Sequence, residues 1–298
     1  MTRAIHIYCD GGFGNRFNGL VAGLLIAKMA SLKPIVVWPL NNWCGASYED
    51  LFSSSATVLD KELQTYVPEK NDFQFFMTED HLNMGVPNQS PLEISSLGQA
   101  LDYIQSGNQD VFFHSPLIPA FLDQAEVKLQ VGQLQIQEAI VKKAQDFIAS
   151  RQLTDYLGVH IRKTDFGSNG SDDNGLFELL RNSPQKQFFV CSDDAEVEAR
   201  FATLSNVATY PKRAYVETLV EGGWNTPTED HSGRVYACNV NRSATSVEDA
   251  VIDLLVLSYS QIVDTSNSTF RNTALQMQAA RGGWQPGLKK NQATTIKA

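Results

Sequence analysis

Apolar positions along the chain fall into two alternating patterns. Short runs rich in β-branched and aromatic residues occupy 5–9, 35–38, 111–114, 157–161, 188–191 and 262–265. Longer stretches with apolar residues at helical spacing cover 15–31, 135–151, 194–204, 246–260 and 269–281. Each helical stretch follows or precedes a run at a short interval, which predicts an α/β chain with mainly parallel sheets covered on both faces by helices. The alternation restarts at Tyr156 after the helix ending near Arg151, so we place a boundary near residue 152 and read two facing α/β halves, 1–152 and 153–298. A cleft between halves is the default ligand site. Residues 53–110 are less regular and read as an elaboration of the first half. The stretches 167–175 (GSNGSDDNG) and 221–233 (EGGWNTPTEDHSG) read as loops, and the polar end, 289–298, is expected to fray.

Composition narrows the classes. The 298 residues are 43% hydrophobic and 19% charged, with a formal net charge of −9, the wrong sign for holding a phosphate backbone by counterion release. Nucleic acid and anionic membrane are therefore not expected partners. The longest apolar stretch, 20–27, is broken by Gly23 and followed by Lys28, far short of the roughly 20 residues a membrane span requires. The N-terminus reads as a strand running into a turn rather than as a signal peptide, so a cytoplasmic location is expected. Cys9, Cys44, Cys191 and Cys238 lie far apart without metal-ligand spacing and are expected to be structural thiols.

Four constellations carry chemistry, each where a strand runs out. In Asp10-Gly-Gly-Phe-Gly-Asn-Arg-Phe-Asn-Gly19, glycines let the chain turn sharply into a helix whose first amides face an anion. Gly12 and Gly14 supply two glycines of a dinucleotide fingerprint, but Phe17 stands at the third position and no acid closes the second strand, so a dinucleotide site is disfavoured. The plain alternative is a tight turn with Asn15 as helix cap, while Arg16 beside it favours an anion. In Gly158-Val-His-Ile-Arg-Lys-Thr-Asp165, His160 and Arg162 share one strand face, and a guanidinium fork at the carboxyl end of a parallel strand suits a diphosphate, with Asp165 steadying the fork. In Phe188-Phe-Val-Cys-Ser-Asp-Asp194, Asp193 and Asp194 either accept from a base or ribose or cap the next helix. In Asp264-Thr-Ser-Asn-Ser-Thr-Phe-Arg271, hydroxyls and amides at a helix start either seat a phosphate or form an ordinary cap.

Taken in order, GGFGNR, HIRKTD, a strand ending in SDD, and SNSTF after a helix carrying Glu248 and Asp249 resemble the motifs of GDP-fucose-dependent fucosyltransferases, namely the α-1,2- and α-1,6-enzymes, the nodulation enzyme and the protein O-fucosyltransferases. The resemblance implies a GT-B fold with two facing Rossmann-like domains, 1–152 on the acceptor side and 153–298 binding the GDP-sugar. It also implies an inverting transfer of fucose to a hydroxyl of a glycan or other acceptor, with no metal or other cofactor. Residue by residue, Arg162 matches the arginine at the β-phosphate, Asp165 the acid closing that motif, and His160 the histidine near the guanosine. Asn15 matches the asparagine reaching across the cleft. Asp193 and Asp194 match the pair holding base or ribose, and Ser266, Ser268, Thr269 and Phe270 match the phosphate-binding segment. Arg16 stands where the family form GxFGNQ has Gln.

The chemistry agrees with that resemblance. Departure of GDP develops negative charge on the β-phosphate, which a metal or fixed positive groups must meet. The sequence contains no Asp-x-Asp metal clamp, which leaves the task to Arg162 and the SNSTF helix start, and Asp10 is the best-placed carboxylate for a general base. Two other readings are an S-adenosylmethionine-dependent methyltransferase, suggested by the glycine-rich turn, and a nucleotide- or glycan-binding relative without turnover.

Overall fold

The alternation of runs and helical stretches is realised as two parallel sheets. A computed structural model describes residues 3–54, 56–59, 72–78, 93–163, 173–223, 225–229, 235–263 and 268–283. In the first half, β1 (Ala4–Tyr8), α1 (Phe13–Ala30), β2 (Lys33–Val37), α2 (Tyr48–Leu51), β3 (Val58–Leu59), β4 (Phe73–Met77), α3 (Leu97–Ser106) and β5 (Asp110–His114) follow in turn, then α4 (Gln124–Gln133) and α5 (Glu138–Ser150). The second half runs β6 (Leu157–Ile161), α6 (Asp173–Arg181), β7 (Phe188–Ser192), α7 (Ala195–Phe201), β8 (Val207–Ala208), β9 (Glu217–Thr218), β10 (Pro227–Glu229), β11 (Val235–Ala237), β12 (Val240–Asn241), α8 (Ala244–Ser258), β13 (Gln261–Ile262) and α9 (Thr269–Ala280).

The first sheet has the order β3-β2-β1-β5-β4, parallel throughout, and the second has the order β13-β6-β7-β8, also parallel. In each sheet the chain leaves a central strand to one side and later returns on the other, β1 against β5 and β6 against β13. Open α/β sheets bind ligands beyond the carboxyl ends at such a reversal. Those ends are where Asp10, Arg162 and the start of α9 at Ser268 stand.

Several elements differ from the sequence reading. The irregular region 53–110 contributes β3, β4 and α3 among its described residues. The strand β4, FQFFM, buries Phe75 and Met77 with Tyr8 and Phe112 on one face and Phe76 in the main core on the other, so it lacks the alternation that marks a half-exposed strand. Likewise α4 stands apart from α5, begun by Asp123, whose carboxylate accepts from the amides of Ala125 and Glu126 at 2.9 and 3.1 Å. The stretch read as a loop at 167–175 contains the start of α6, and 221–233 contains β10, which pairs antiparallel with β11; residues 164–172, 224 and 230–234 lie outside the described set. The frayed C-terminus expected at 289–298 also lies outside it.

One continuous apolar core joins the halves. It takes in Phe17 and Leu20 of α1, Phe147 of α5, Leu254 of α8 and Met277 of α9. The returning helices make the join, with α8 packing on α5 and α9 on α1 and α4. The four cysteines are buried, and among the described residues no helix is long and apolar enough to cross a membrane.

At the end of β2 stands Trp38, fully buried against Tyr48 and Phe52, with its indole N–H donating to the Ala46 carbonyl at 3.0 Å. Trp38→Ala removes that volume and leaves the carbonyl without its donor. The expected loss is about 3–5 kcal/mol, read as a lower midpoint in chemical denaturation with an unchanged slope.

Candidate active site

The turn after β1 is built around a buried network. The Asp10 carboxylate accepts from the Gly11 amide at 2.6 Å and from the Asn41 side chain at 3.3 Å, and Gly11 takes a φ of 78°, a conformation that favours glycine. The cap of α1 is Gly12, not Asn15: the helix begins at Phe13 without a side-chain cap, and Asn15 lies in its first turn. The asparagine makes no hydrogen bond to another described residue, so its amide is uncommitted. Arg16 departs further from expectation. Its side chain is fully buried beside Trp38, and it donates to the carbonyls of Gly11 and Pro39, both at 2.7 Å, and to Asn41 Oδ1 at 2.9 Å. With its donors turned inward, Arg16 supports the wall instead of presenting a charge to a ligand.

The loop that Arg16 holds is also a joint between the halves. The Gly45 amide donates to the Arg242 carbonyl at 2.8 Å and the Arg242 amide to the Asn42 carbonyl at 2.9 Å, while the Arg242 guanidinium lies over the Trp43 ring.

In the second half, His160 stands one residue before the end of β6 with Nδ1 3.1 Å from Ser268 Oγ and its ring stacked on Phe270 at 4.7 Å between centroids. Ser268 is the cap of α9, its hydroxyl accepting from the Arg271 amide at 3.1 Å. Arg162 follows β6 at the same edge and is half-buried. Asp165 and Ser266 lie outside the described residues.

The two halves meet where these motifs stand. A Cβ on Gly14 would come within 3.2 Å of the Thr269 carbonyl carbon and methyl and within 3.3 Å of the Phe270 nitrogen. The N-termini of α1 and α9 are therefore in van der Waals contact, and neither has an acidic residue in its first turn. Two positive dipole ends with unpaired first-turn amides converge there, against β6 through His160 and Ser268, an arrangement that favours a multiply charged anion.

The pair after β7 divides its work. Asp194 caps α7, accepting from the amides of Glu196 and Val197 at 2.8 and 3.0 Å. Asp193 Oδ1 accepts from the Lys163 amide at 2.7 Å, tying this strand end to the residue after Arg162. Of the charged cluster beneath, the sequence reading named Asp249 and missed Glu198, Lys212, Arg213, Tyr215 and Asp253. Lys212 contacts the Ser192 carbonyl, Glu198 Oε1 and, at 2.7 Å, Asp253 Oδ2, all three side chains being buried. Tyr215 donates to Glu198 Oε2 at 2.7 Å, and Arg213 grips Asp249 through its amide, Nε and Nη2. A charged residue at an apolar helical position, as Asp253 within IDLLVLS, is the one signal the sequence offers. Burial, only partly offset by the Lys212 ammonium and reinforced by Glu198, holds the Asp253 carboxyl up at about 7.

No protein-family model matches the sequence, and no curated protein matches it. Solved structures do. Fold and joined strand ends define a GT-B type α/β protein with two Rossmann-like domains. The α-1,6-fucosyltransferase NodZ co-crystallised with GDP superposes with a TM-score of 0.55 at 12% identity, covering 92% of this chain and 92% of that one. NodZ from Bradyrhizobium gives 0.56 at 13% identity, again over 92% of each chain. POFUT1 in complex with GDP-fucose gives 0.53 at 12% identity over 96% of this chain and 97% of that one. Among the described residues, no group of three His, Cys, Asp or Glu side chains is arranged to hold a metal ion.

Asp253 yields a pH prediction. Its folded value of about 7 lies above the unfolded one of about 4, so between these the folded chain holds a proton the unfolded chain has lost. That stabilisation is complete below about pH 4 and is lost as the pH rises through about 7. The stability of wild type relative to Asp253→Asn is expected to fall between about pH 4 and 7 in thermal denaturation. A difference that stays constant across that range would show that the carboxyl titrates normally.

Proposed function

We propose that this chain is an inverting, metal-independent fucosyltransferase that moves fucose from GDP-fucose to a hydroxyl of a glycan or other acceptor, with residues 1–152 on the acceptor side and 153–298 binding the donor. The observation that carries the reading is the meeting of the motifs: Gly14 against Thr269 and Phe270, His160 against Ser268 and Phe270, and Asp193 against the amide next to Arg162. Four short segments spread over the sequence form one anion-favouring edge between two parallel sheets.

In this reading, the diphosphate lies at the contact between the two helix starts. Arg162 makes a forked contact with the β-phosphate, and amides at Gly12–Gly14 and at Thr269–Phe270 face its other oxygens. As the bond from the anomeric carbon to the β-phosphate oxygen lengthens, charge grows on groups these donors already face, so they stabilise the departing GDP more than the bound donor. His160, aligned by Ser268 and Phe270, lies towards the guanosine, and Asp193 accepts from base or ribose while Asp194 is retained as a cap. The uncommitted Asn15 amide reaches towards donor and acceptor. Asp10 takes the proton of the acceptor hydroxyl as its oxygen attacks the face opposite the leaving group, which inverts the anomeric centre. The methyltransferase reading leaves Arg162 without a role, and the structural neighbours do not favour it.

The test is GDP release from GDP-fucose and from GDP-mannose across a small acceptor panel, with and without EDTA. Release from GDP-fucose that persists in the chelator is expected. Activity abolished by EDTA and restored by manganese would overturn the metal-free mechanism, and no release or GDP binding would overturn the transferase itself.

Arg162→Lys keeps the charge and loses the planar fork. The expected cost is about 3 kcal/mol in the transition state, roughly a hundredfold in kcat with a matching fall in kcat/KM. Unfolding temperature is expected to stay within a few degrees. Near-normal turnover, or loss explained wholly by unfolding, removes Arg162 from the mechanism.

A further inference from the structure

The strand β7 has an unusual end. The Phe188 amide donates to the Asn206 carbonyl at 2.9 Å, so alternate residues of this strand, Ser192 included, turn their backbone groups towards β8. Pairing with β8 stops after Phe189, and β8 itself ends at Ala208. Ser192 is buried, so its amide and carbonyl are groups that must find partners without a neighbouring strand. Buried charged side chains supply them. Glu198 Oε1 accepts from the Ser192 amide at 2.7 Å, and the Lys212 ammonium donates to the Ser192 carbonyl.

We propose that Lys212 is a positioning residue of the donor site, fixing the end of β7 so that Asp193 meets the residue after Arg162. The proposal rests on the transferase reading for the identity of the ligand, but its geometry stands alone. Lys212 takes the Ser192 carbonyl, the next residue is Asp193, and Asp193 Oδ1 accepts from the Lys163 amide at 2.7 Å. The Ser192 hydroxyl also accepts from the Asp194 amide at 3.2 Å, which sets the cap of α7. A single ammonium thus reaches both strands that carry the candidate donor-binding residues.

Its own setting is costly unless the arrangement is needed. Lys212 serves two carboxylates, Glu198 and Asp253, and Asp253 Oδ1 is buried with no hydrogen-bond partner. One buried cation against a buried carboxylate and a second carboxyl whose ionisation burial opposes is a poor way to gain stability, because desolvation offsets much of the attraction. Apolar residues would fill the space more favourably but would leave the Ser192 carbonyl without a donor and the strand end free to shift.

The Lys163 amide is the reporter, since it lies far from Lys212 in sequence and is linked to it through Ser192 and Asp193. In ligand-free protein, Lys212→Met is expected to speed hydrogen exchange at that amide at least tenfold while the Ile7 amide in β1 is unchanged. The GDP dissociation constant, measured by calorimetry, is expected to rise at least tenfold. Exchange at Lys163 and GDP affinity both within twofold of wild type, with only a lower unfolding temperature, would reduce Lys212 to a stabilising residue and overturn the proposal. So would local exchange that quickens while GDP affinity holds. If the methionine variant does not fold, Glu198→Gln decides: it keeps an acceptor for Ser192 while weakening the hold on Lys212, and unchanged exchange at Lys163 in that variant refutes the coupling. A wild-type protein indifferent to GDP would sink the transferase reading, whereas the exchange arm still judges Lys212.

Discussion

The structure depends on one close approach, the contact of the first turn of α1 with the first turn of α9. Helix starts carry partial positive charge and unpaired amides, so bringing two together is unfavourable unless something negative lies between them or packing elsewhere compels it. Here packing compels it: α9 is held on α1 and α4 by the common core, and Gly14 has no side chain to keep the backbones apart. The result is a fixed positive field at the edge shared by both sheets, in a chain whose net charge is −9. The overall charge therefore says little about the site. A local field set by dipoles and one guanidinium acts over a few ångströms, where the distant surface carboxylates are screened.

Around that contact, charged groups are used as scaffolding. Arg16 lies in the wall of the first half, and Lys212, Glu198 and Asp253 lie beneath the second sheet. Both hold backbone at places where no strand or helix partner is present: the loop 39–46 that joins the halves, and the strand end at Ser192. Burying such groups is expensive, and each is accepted where it gives a loop or strand tip one conformation instead of several.

Division of labour among the motif residues follows from geometry. Of the adjacent acids, Asp194 is spent on the α7 cap and Asp193 bridges two strands, although they differ by a single position along the chain. Of the adjacent residues in the glycine-rich turn, Asn15 keeps an open amide while Arg16 is sealed against Trp38. A helix rotates about 100° per residue, so neighbours in sequence face different surroundings.

Much of this was legible in the sequence. The runs at 5–9, 35–38, 111–114, 157–161 and 188–191 fall on β1, β2, β5, β6 and β7, because buried parallel strands are continuous apolar segments and their carboxyl ends turn polar abruptly. The sequence alone also determined that the polar residues following the runs at 5–9, 157–161 and 188–191 sit at strand ends, since the apolar pattern stops there. It did not determine that α9 returns to α1, that Arg16 points inward, or that Lys212 reaches Ser192. Those facts depend on which surfaces pack together across separations of tens to hundreds of residues, and local periodicity contains no term for them. Only the tertiary structure decided whether a charged side chain met water, a ligand or a backbone group left without a partner.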